Sequence, residues 1–175
     1  MENEIFVREY TDADIDGMRA AWNEVVRDGI AFPQENELSH DEAAKFFAEQ
    51  TYCGAAVQKC SDGTEKVLGM YILHPNNIGR CGHICNASYA VSSDSRGKHV
   101  GEKLVRDCVK VAGEKGFRVL QFNAVVATNT AARKLYEKVG FTQLGTIPGG
   151  FRNDDGTYSD ICPYYITLGS GKDAE

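Results

Sequence analysis

The chain has 175 residues and carries 19 Lys and Arg against 25 Asp and Glu, a formal charge of −6. Apolar residues make up 42% and charged residues 25%, the balance of a globular chain long enough to bury a core without disulfides or a structural metal. That acidic balance, with a sequence pI near 5.3, argues against a general nucleic-acid binder. No apolar run reaches the length of a membrane span. The acidic start of the chain does not read as a secretory signal. The expectation is a cytoplasmic single domain over 1–175, with a flexible tail from about residue 169.

In chain order, Ile5 to Glu9 reads as a strand. Thr11 to Asp14 offers N-cap residues for a helix through Met18, Trp22, Val25 and Val26 that ends near Gly29. Ala31 to Glu35 is a loop, and Ser39 with Glu42 three positions on is a capping-box pattern for a helix carrying Ala43, Phe46 and Phe47. Ala55 to Gln58 and Val67 to Leu73 form a hairpin around the turn Ser61-Asp62-Gly63-Thr64, closed by His74 to Asn77. Ile84 to Val91 is a strand. A polar loop, Ser92 to His99, then precedes a helix in which Val100, Leu104, Cys108, Val111 and Ala112 recur at helical spacing and which Gly113 and Gly116 end.

Val119 to Ala127 is apolar enough for a strand buried on both faces. Thr130 to Val139 reads as a helix stopped by Gly140. Phe141 to Gly145 and Tyr158 to Leu168 complete the sheet. This order predicts an α/β fold of α+β character, with a right-handed crossover and a parallel pair at the centre of a mixed sheet. Six cysteines without a secretory signal read as free thiols. Cys81, His83 and Cys85 lie close together but lack an evident fourth ligand, so strand-face packing is the preferred reading and no metal is expected.

The chemistry concentrates after Val91. Arg96-Gly97-Lys98-His99-Val100-Gly101 opens a helix, where unpaired backbone amides and a positive dipole end suit an anion. Arg96, Lys98 and His99 add side-chain donors. The run is neither a Walker loop nor a dinucleotide fingerprint, and taken alone it leaves a solvated turn and a phosphate site equally open. A second motif follows the apolar strand: Asn129, Ala132, Leu135, Tyr136, Gly140 and Phe141.

Together the two motifs resemble those of the GNAT superfamily of N-acetyltransferases. The loop pattern there is Arg/Gln-x-x-Gly-x-Gly/Ala, and the later one is Asn-x-x-Ala-x-x-Leu-Tyr-x-x-x-Gly-Phe. Arg96 and Gly101 match the first pattern, His99 stands at its central glycine, and the second matches throughout. The resemblance implies acetyl-CoA as cofactor, its pyrophosphate on the amides from Arg96 to Gly101 and its pantetheine along the strand near Val91. Asn129 and Ala132 would touch the cofactor. It also implies that the strands ending at Val91 and Ala127 splay apart and that the protein forms homodimers. Tyr136 would then be the acid that protonates the departing sulfur, against the alternative of an aromatic packed on the sheet. The oxyanion donor would be a backbone N–H near Val91, freed by a bulge in that strand.

No carboxylate lies in Ile84 to Val91 to serve as a base. The strands carry Asn86 and Asn123 instead, amides that need partners if buried. Either they bridge backbone groups left unpaired by the splay, or they flank the cleft and bind the acceptor beside its amine. His83 is a further candidate base. Asn76, the run Arg80-Cys81…His83…Cys85-Asn86-Ala87, and Phe122-Asn123 with Thr128-Asn129 also resemble fungal acetyltransferases of azetidine-2-carboxylate and related proline analogues. That likeness implies substrate roles for Asn86 and Asn123. Phe32, Pro33, Tyr89 and Phe151 are candidate linings of an acceptor pocket. The sequence therefore points to acetylation of a small, amino-acid-like amine, with a protein amine or a non-catalytic acyl-CoA sensor as alternatives.

Overall fold

The computed structural model describes residues 4–169; the expected flexible tail falls on residues outside that range. The elements in order are β1 (Ile5–Glu9), α1 (Ile15–Asp28), α2 (His40–Ala48), β2 (Tyr52–Lys59), β3 (Glu65–Pro75), β4 (Ile84–Val91), α3 (Val100–Glu114), β5 (Val119–Val126), α4 (Thr130–Val139), β6 (Thr142–Gln143), β7 (Ile147–Arg152) and β8 (Tyr158–Thr167). The strands form one mixed sheet in the order β1-β2-β3-β4-β5-β8-β6, with β7 also paired to β8. Only β4 and β5 pair in parallel among the described strands.

Local chemistry sets the helix ends. Thr11 donates from its backbone N and its Oγ1 to Asp14 Oδ2, at 2.7 and 3.0 Å. This folds residues 12–14 into a short 3-10 turn, so α1 begins only at Ile15. Ser39 and Glu42 form the expected reciprocal box, with Ser39 N on Glu42 Oε2 at 2.8 Å. Gly29 ends α1 at φ 61°. Gly113 does not end α3 but lies within it, and the positive-φ residue after the helix is Gly116.

The sheet carries a core on each face. On one, α3 buries Val100, Leu104, Val105 and Cys108 against Leu73, Ala87, Leu120 and Phe122. On the other, Met18, Trp22 and Phe47 of α1 and α2 cover Val57, Met70 and Ile72. Each of the larger aliphatic, methionine and phenylalanine side chains stabilises the fold by about 1.5–3 kcal/mol. Tyr71 lies across Gly54 of β2, where a Cβ would stand 2.1 Å from its ring, and its hydroxyl donates to Asp107 Oδ2 of α3 at 2.8 Å.

Two expectations are corrected. β5 is not buried on both faces: Leu120 and Phe122 are buried, whereas Asn123 is exposed and Gln121 partly so. Phe141 to Gly145 and Tyr158 to Leu168 do not complete the sheet alone: Ile147–Arg152 form the additional strand β7. Its exposed Ile147-Pro148-Gly149-Gly150 run has no alternating pattern to announce it.

Candidate active site

β4 has two different edges. Asn76 N donates to Ile84 O at 2.8 Å and Ser92 N to Leu68 O at 3.0 Å, so the even-numbered residues of β4 direct their backbone groups to β3. By alternation the odd ones, Cys85, Ala87, Tyr89 and Val91, face β5. Along β3 the register is unbroken from Gly69 and Val91 to Pro75 and Cys85. Along β5 only Ile84 with Val119 and Cys85 with Leu120 are paired. Beyond them the strands diverge, helped by a register shift of β5 against β8 between Phe122 and Val125. The amides near Val91 are thus freed by the splay and not by a bulge in their own strand.

The loop between β4 and α3 is tightly braced. Ser95 is buried, Ser92 Oγ donates to Leu68 O at 2.8 Å, and Ser93 N donates to Glu24 of α1 at 3.1 Å. Lys66 reaches Asp94 at 2.7 Å; that ion pair, with hydrogen bonds from Ser92 and Ser95, holds the Asp94 carboxyl down to about 2. Gly97 turns at φ 80°, and His99 sits at φ 58°, the only non-glycine with positive φ among the described residues. His99 thus adopts the left-handed conformation that glycine would supply at this point of the pattern.

Arg96, Gly97, Lys98 and His99 are exposed, Gly101 is partly so, and Val100 is buried in the core, leaving only its backbone amide for a ligand. Arg96 pairs with Asp28 at 3.2 Å. The first amides of α3 have no partner one turn back.

α4 starts where Asn129 Oδ1 accepts from Ala132 N at 3.2 Å. Asn129 therefore acts as a helix cap, with Ala132 on the first turn. One turn on, Tyr136 points at the sheet. Its ring lies 4.5 Å from Phe122, 5.7 Å from Phe141, 6.0 Å from Tyr164 and 6.3 Å from Tyr89, centroid to centroid. Burial, with Cys108 and Tyr164 nearby, raises its hydroxyl above the usual tyrosine range, so it stays protonated at neutral pH. Among the described residues no hydrogen bond engages it. Burial likewise pushes the Cys53 and Cys85 thiols up to about 12, which leaves neither as a thiolate nucleophile.

The opposite face at the vertex of the splay is polar. Asn86 Oδ1 accepts from Ala87 N at 2.8 Å, satisfying one amide that β5 leaves free. Asn123, expected in a buried run, is exposed. Its Nδ2 donates to Asn76 Oδ1 at 2.7 Å, and its Oδ1 accepts from Asn76 Nδ2 and from Gln121 Nε2, each at 3.0 Å. The connection after β3 thus reaches over β4 to β5. Nothing local in the sequence singles out Asn76; only the likeness to proline-analogue acetyltransferases marks it. His74, which the sequence offers as a turn residue or a distant fourth metal ligand, stands opposite Asn86 in the register.

His83 is exposed, and its carbonyl accepts from Arg118 N at 2.9 Å. Cys81 is exposed in a 3-10 turn, while Cys85 is buried with Sγ donating to Val119 O at 3.3 Å, so the two do not share a strand face. Beside the sheet a cavity of about 390 Å³ lies between the loop after α1 and β7, lined by Phe32, Pro33 and Phe151 but not by Tyr89. The ion pairs Arg27–Glu37, at 3.0 Å, and Arg152–Glu35 stand at its rim. No described helix is long and apolar enough to cross a membrane.

Comparison with known proteins agrees with this geometry. A profile of the Acetyltransferase (GNAT) family matches residues 18–141. The N-acetyltransferase aca1 of Schizosaccharomyces pombe is 31% identical over 160 residues, covering 83% of this chain and 76% of that protein. A GCN5-related N-acetyltransferase from Kribbella flavida superposes with a TM-score of 0.83 at 34% identity, over 94% of this chain and 98% of that one. A phosphinothricin acetyltransferase from Sinorhizobium meliloti, solved with AcCoA, shares the fold at a TM-score of 0.84 and 21% identity, over 100% of this chain and 93% of that one. The matched motifs, the mixed sheet with its diverging parallel pair and these relatives together make the chain a member of the GNAT family of N-acetyltransferases, and hence an acyltransferase.

Proposed function

We propose that residues 1–175 form one N-acetyltransferase domain that moves an acetyl group from acetyl-CoA directly to the amine of a small, amino-acid-like molecule. The observation that carries this reading is the gap beyond Cys85 and Leu120. It has Tyr136 on the helix-α4 side and the Asn86 and Asn123 amides on the other. The chain's own groups fit the donor. The loop from Arg96 to Gly101 offers amides and two exposed cations to a pyrophosphate, with Asn129 and Ala132 at the neighbouring helix start, and the odd-numbered edge of β4 up to Val91 offers strand-like hydrogen bonds to an extended arm. Acetyl-CoA supplies the activated thioester.

Tyr136, half-buried and protonated, gives its proton to the leaving sulfur, and a β4 amide at Tyr89 or Val91 stabilises developing charge on the carbonyl oxygen. On the acceptor side Asn86 presents its oxygen to Ala87 N–H, and among the described residues nothing accepts from its Nδ2, which stays available as a donor. Asn123 has one N–H left after its bonds to Asn76 and Gln121. Donors alone at this place suit a carboxylate or carbonyl oxygen next to the amine. Thiol release followed against a panel of amino acids, cyclic imino acids such as azetidine-2-carboxylate, and basic peptides tests the reading. A carboxylate-bearing amine is expected to be the best acceptor, and Asn86→Asp and Asn123→Asp are expected to raise its KM about tenfold. Preference for peptides would favour a protein acetyltransferase; acetyl-CoA binding without turnover would favour a sensor.

A further inference from the structure

The reaction needs somewhere for the amine's proton to go, and the acceptor face holds no carboxylate beside Asn86. It does hold His74. His74 is the register partner of Asn86 across β3 and β4, a hydrogen-bonded pair whose Cα atoms lie about 5.5 Å apart and whose side chains share a face. That face is the one bearing Asn86 and Asn123, opposite to α3 and α4.

The ring's protonation pattern follows from its partner. His74 Nδ1 lies 3.0 Å from Pro75 O. A carbonyl oxygen only accepts, so Nδ1 carries the proton and the neutral ring keeps its lone pair on Nε2. Among the described residues nothing donates to Nε2. By register and alternation the side chains sharing its face of the sheet nearby are uncharged: Asn86 of β4, Asn76 of the following connection, Gln121 and Asn123 of β5, and Thr51 ahead of β2. The charged and titratable groups of the 76–83 connection, Arg80, Cys81 and His83, are exposed. Of the nearby thiols, Cys53 donates to Phe47 O at 3.5 Å and Cys85 is turned to the other face.

We infer that His74 is the base of the acceptor half-site, taking the amine's proton on Nε2 through one water. The proposal rests on the acetyltransferase reading above. As the amine nitrogen forms its bond to the acetyl carbon and the carbon–sulfur bond breaks, the amine proton passes by the water to Nε2. Tyr136 protonates the sulfur and is restored by a proton from solvent, while His74 returns its own to solvent. The net change is amine plus thioester to amide plus thiol, with no oxidant or reductant.

The first test does not depend on turnover. Long-range proton–nitrogen NMR of the full chain without substrates is expected to show neutral His74 as the Nδ1–H tautomer; an Nε2–H ring would overturn the assignment. The second is kinetic. His74→Gln is expected to lower kcat/KM about 100-fold near neutral pH, to remove the acidic limb of its pH profile, and to leave acetyl-CoA affinity and the melting temperature unchanged. His74→Ala should regain activity with added imidazole. Retention of kcat/KM within twofold by His74→Gln, with its acidic limb intact, would exclude the role. Absence of turnover by the parent chain on every amine would instead refute the reading beneath it, and the NMR result would still stand by itself.

Discussion

The two edges of β4 can be compared residue by residue, because they belong to one strand. Toward β3 the ladder runs through seven register pairs; toward β5 it stops after two. The paired edge is backed by core on both faces, from Leu73 and Tyr71 on one to Met70 and Ile72 on the other. The diverging edge leaves β4 amides without a strand partner, and Tyr136, Asn86 and Asn123 stand around it. The difference teaches where stability and chemistry divide. Pairing satisfies a strand's amides and thereby removes them from use, so only an edge left unpaired keeps donors for a ligand.

That division makes separable predictions. The largest effect is expected on the paired edge. Leu73→Ala, at a site with no exposure, should cost about 3 kcal/mol in denaturant unfolding and leave the acceptor KM alone. Tyr136→Phe should do the reverse: turnover falls about 100-fold, or ~2.7 kcal/mol in the barrier, while melting and acetyl-CoA affinity hold, since the hydroxyl makes no bond in the fold. A loss of stability there would blur the two edges.

Asp14→Asn, again on the structural side, should cost about 2 kcal/mol. Burial alone would raise the Asp14 carboxyl, but hydrogen bonds from Arg8 and Thr11 outweigh it and the net shift is downward. Its contribution is therefore complete above the ordinary carboxylate range and is lost as pH falls through the lowered value. Acid unfolding curves of parent and variant should converge there. The smallest effect is at His99. His99→Gly relieves a left-handed side chain worth about 1–2 kcal/mol but adds freedom to the unfolded chain. The net gain should be about 0.5 kcal/mol, read as a small rise in melting temperature.

Much of this was legible in the sequence because each cue was local. Ser39 with Glu42, Gly29 and Gly140 mark helix ends by chemistry that needs no distant partner, and the amphipathic spacing from Val100 to Ala112 names its own buried face. The motif from Asn129 to Phe141 supplied the family. What stayed hidden depends on geometry between strands. Asn123 looked buried because its neighbours are apolar, yet alternation turns it outward with Gln121. His74 stands near the end of β3 and Asn76 opens the connection after it, whose path over β4 no periodicity records. β7 is written with exposed residues and two glycines, and only pairing with β8 makes it a strand. His99 was visible as a departure from the loop pattern, but its positive φ was not.

The contact of Tyr71 with Gly54 has a consequence for how this chain can vary. At 2.1 Å from the ring, position 54 admits no side chain while a tyrosine stands at 71. The bond from that tyrosine to Asp107 ties the same constraint to α3. The three positions form one hereditary unit: a lineage that loses the aromatic at 71 is released to fill 54 and to free the acid at 107, and one that fills 54 first must pass through an unstable intermediate. A side chain at 54 should therefore be found only where 71 is no longer aromatic, and pairwise mutant cycles among 54, 71 and 107 should depart strongly from additivity.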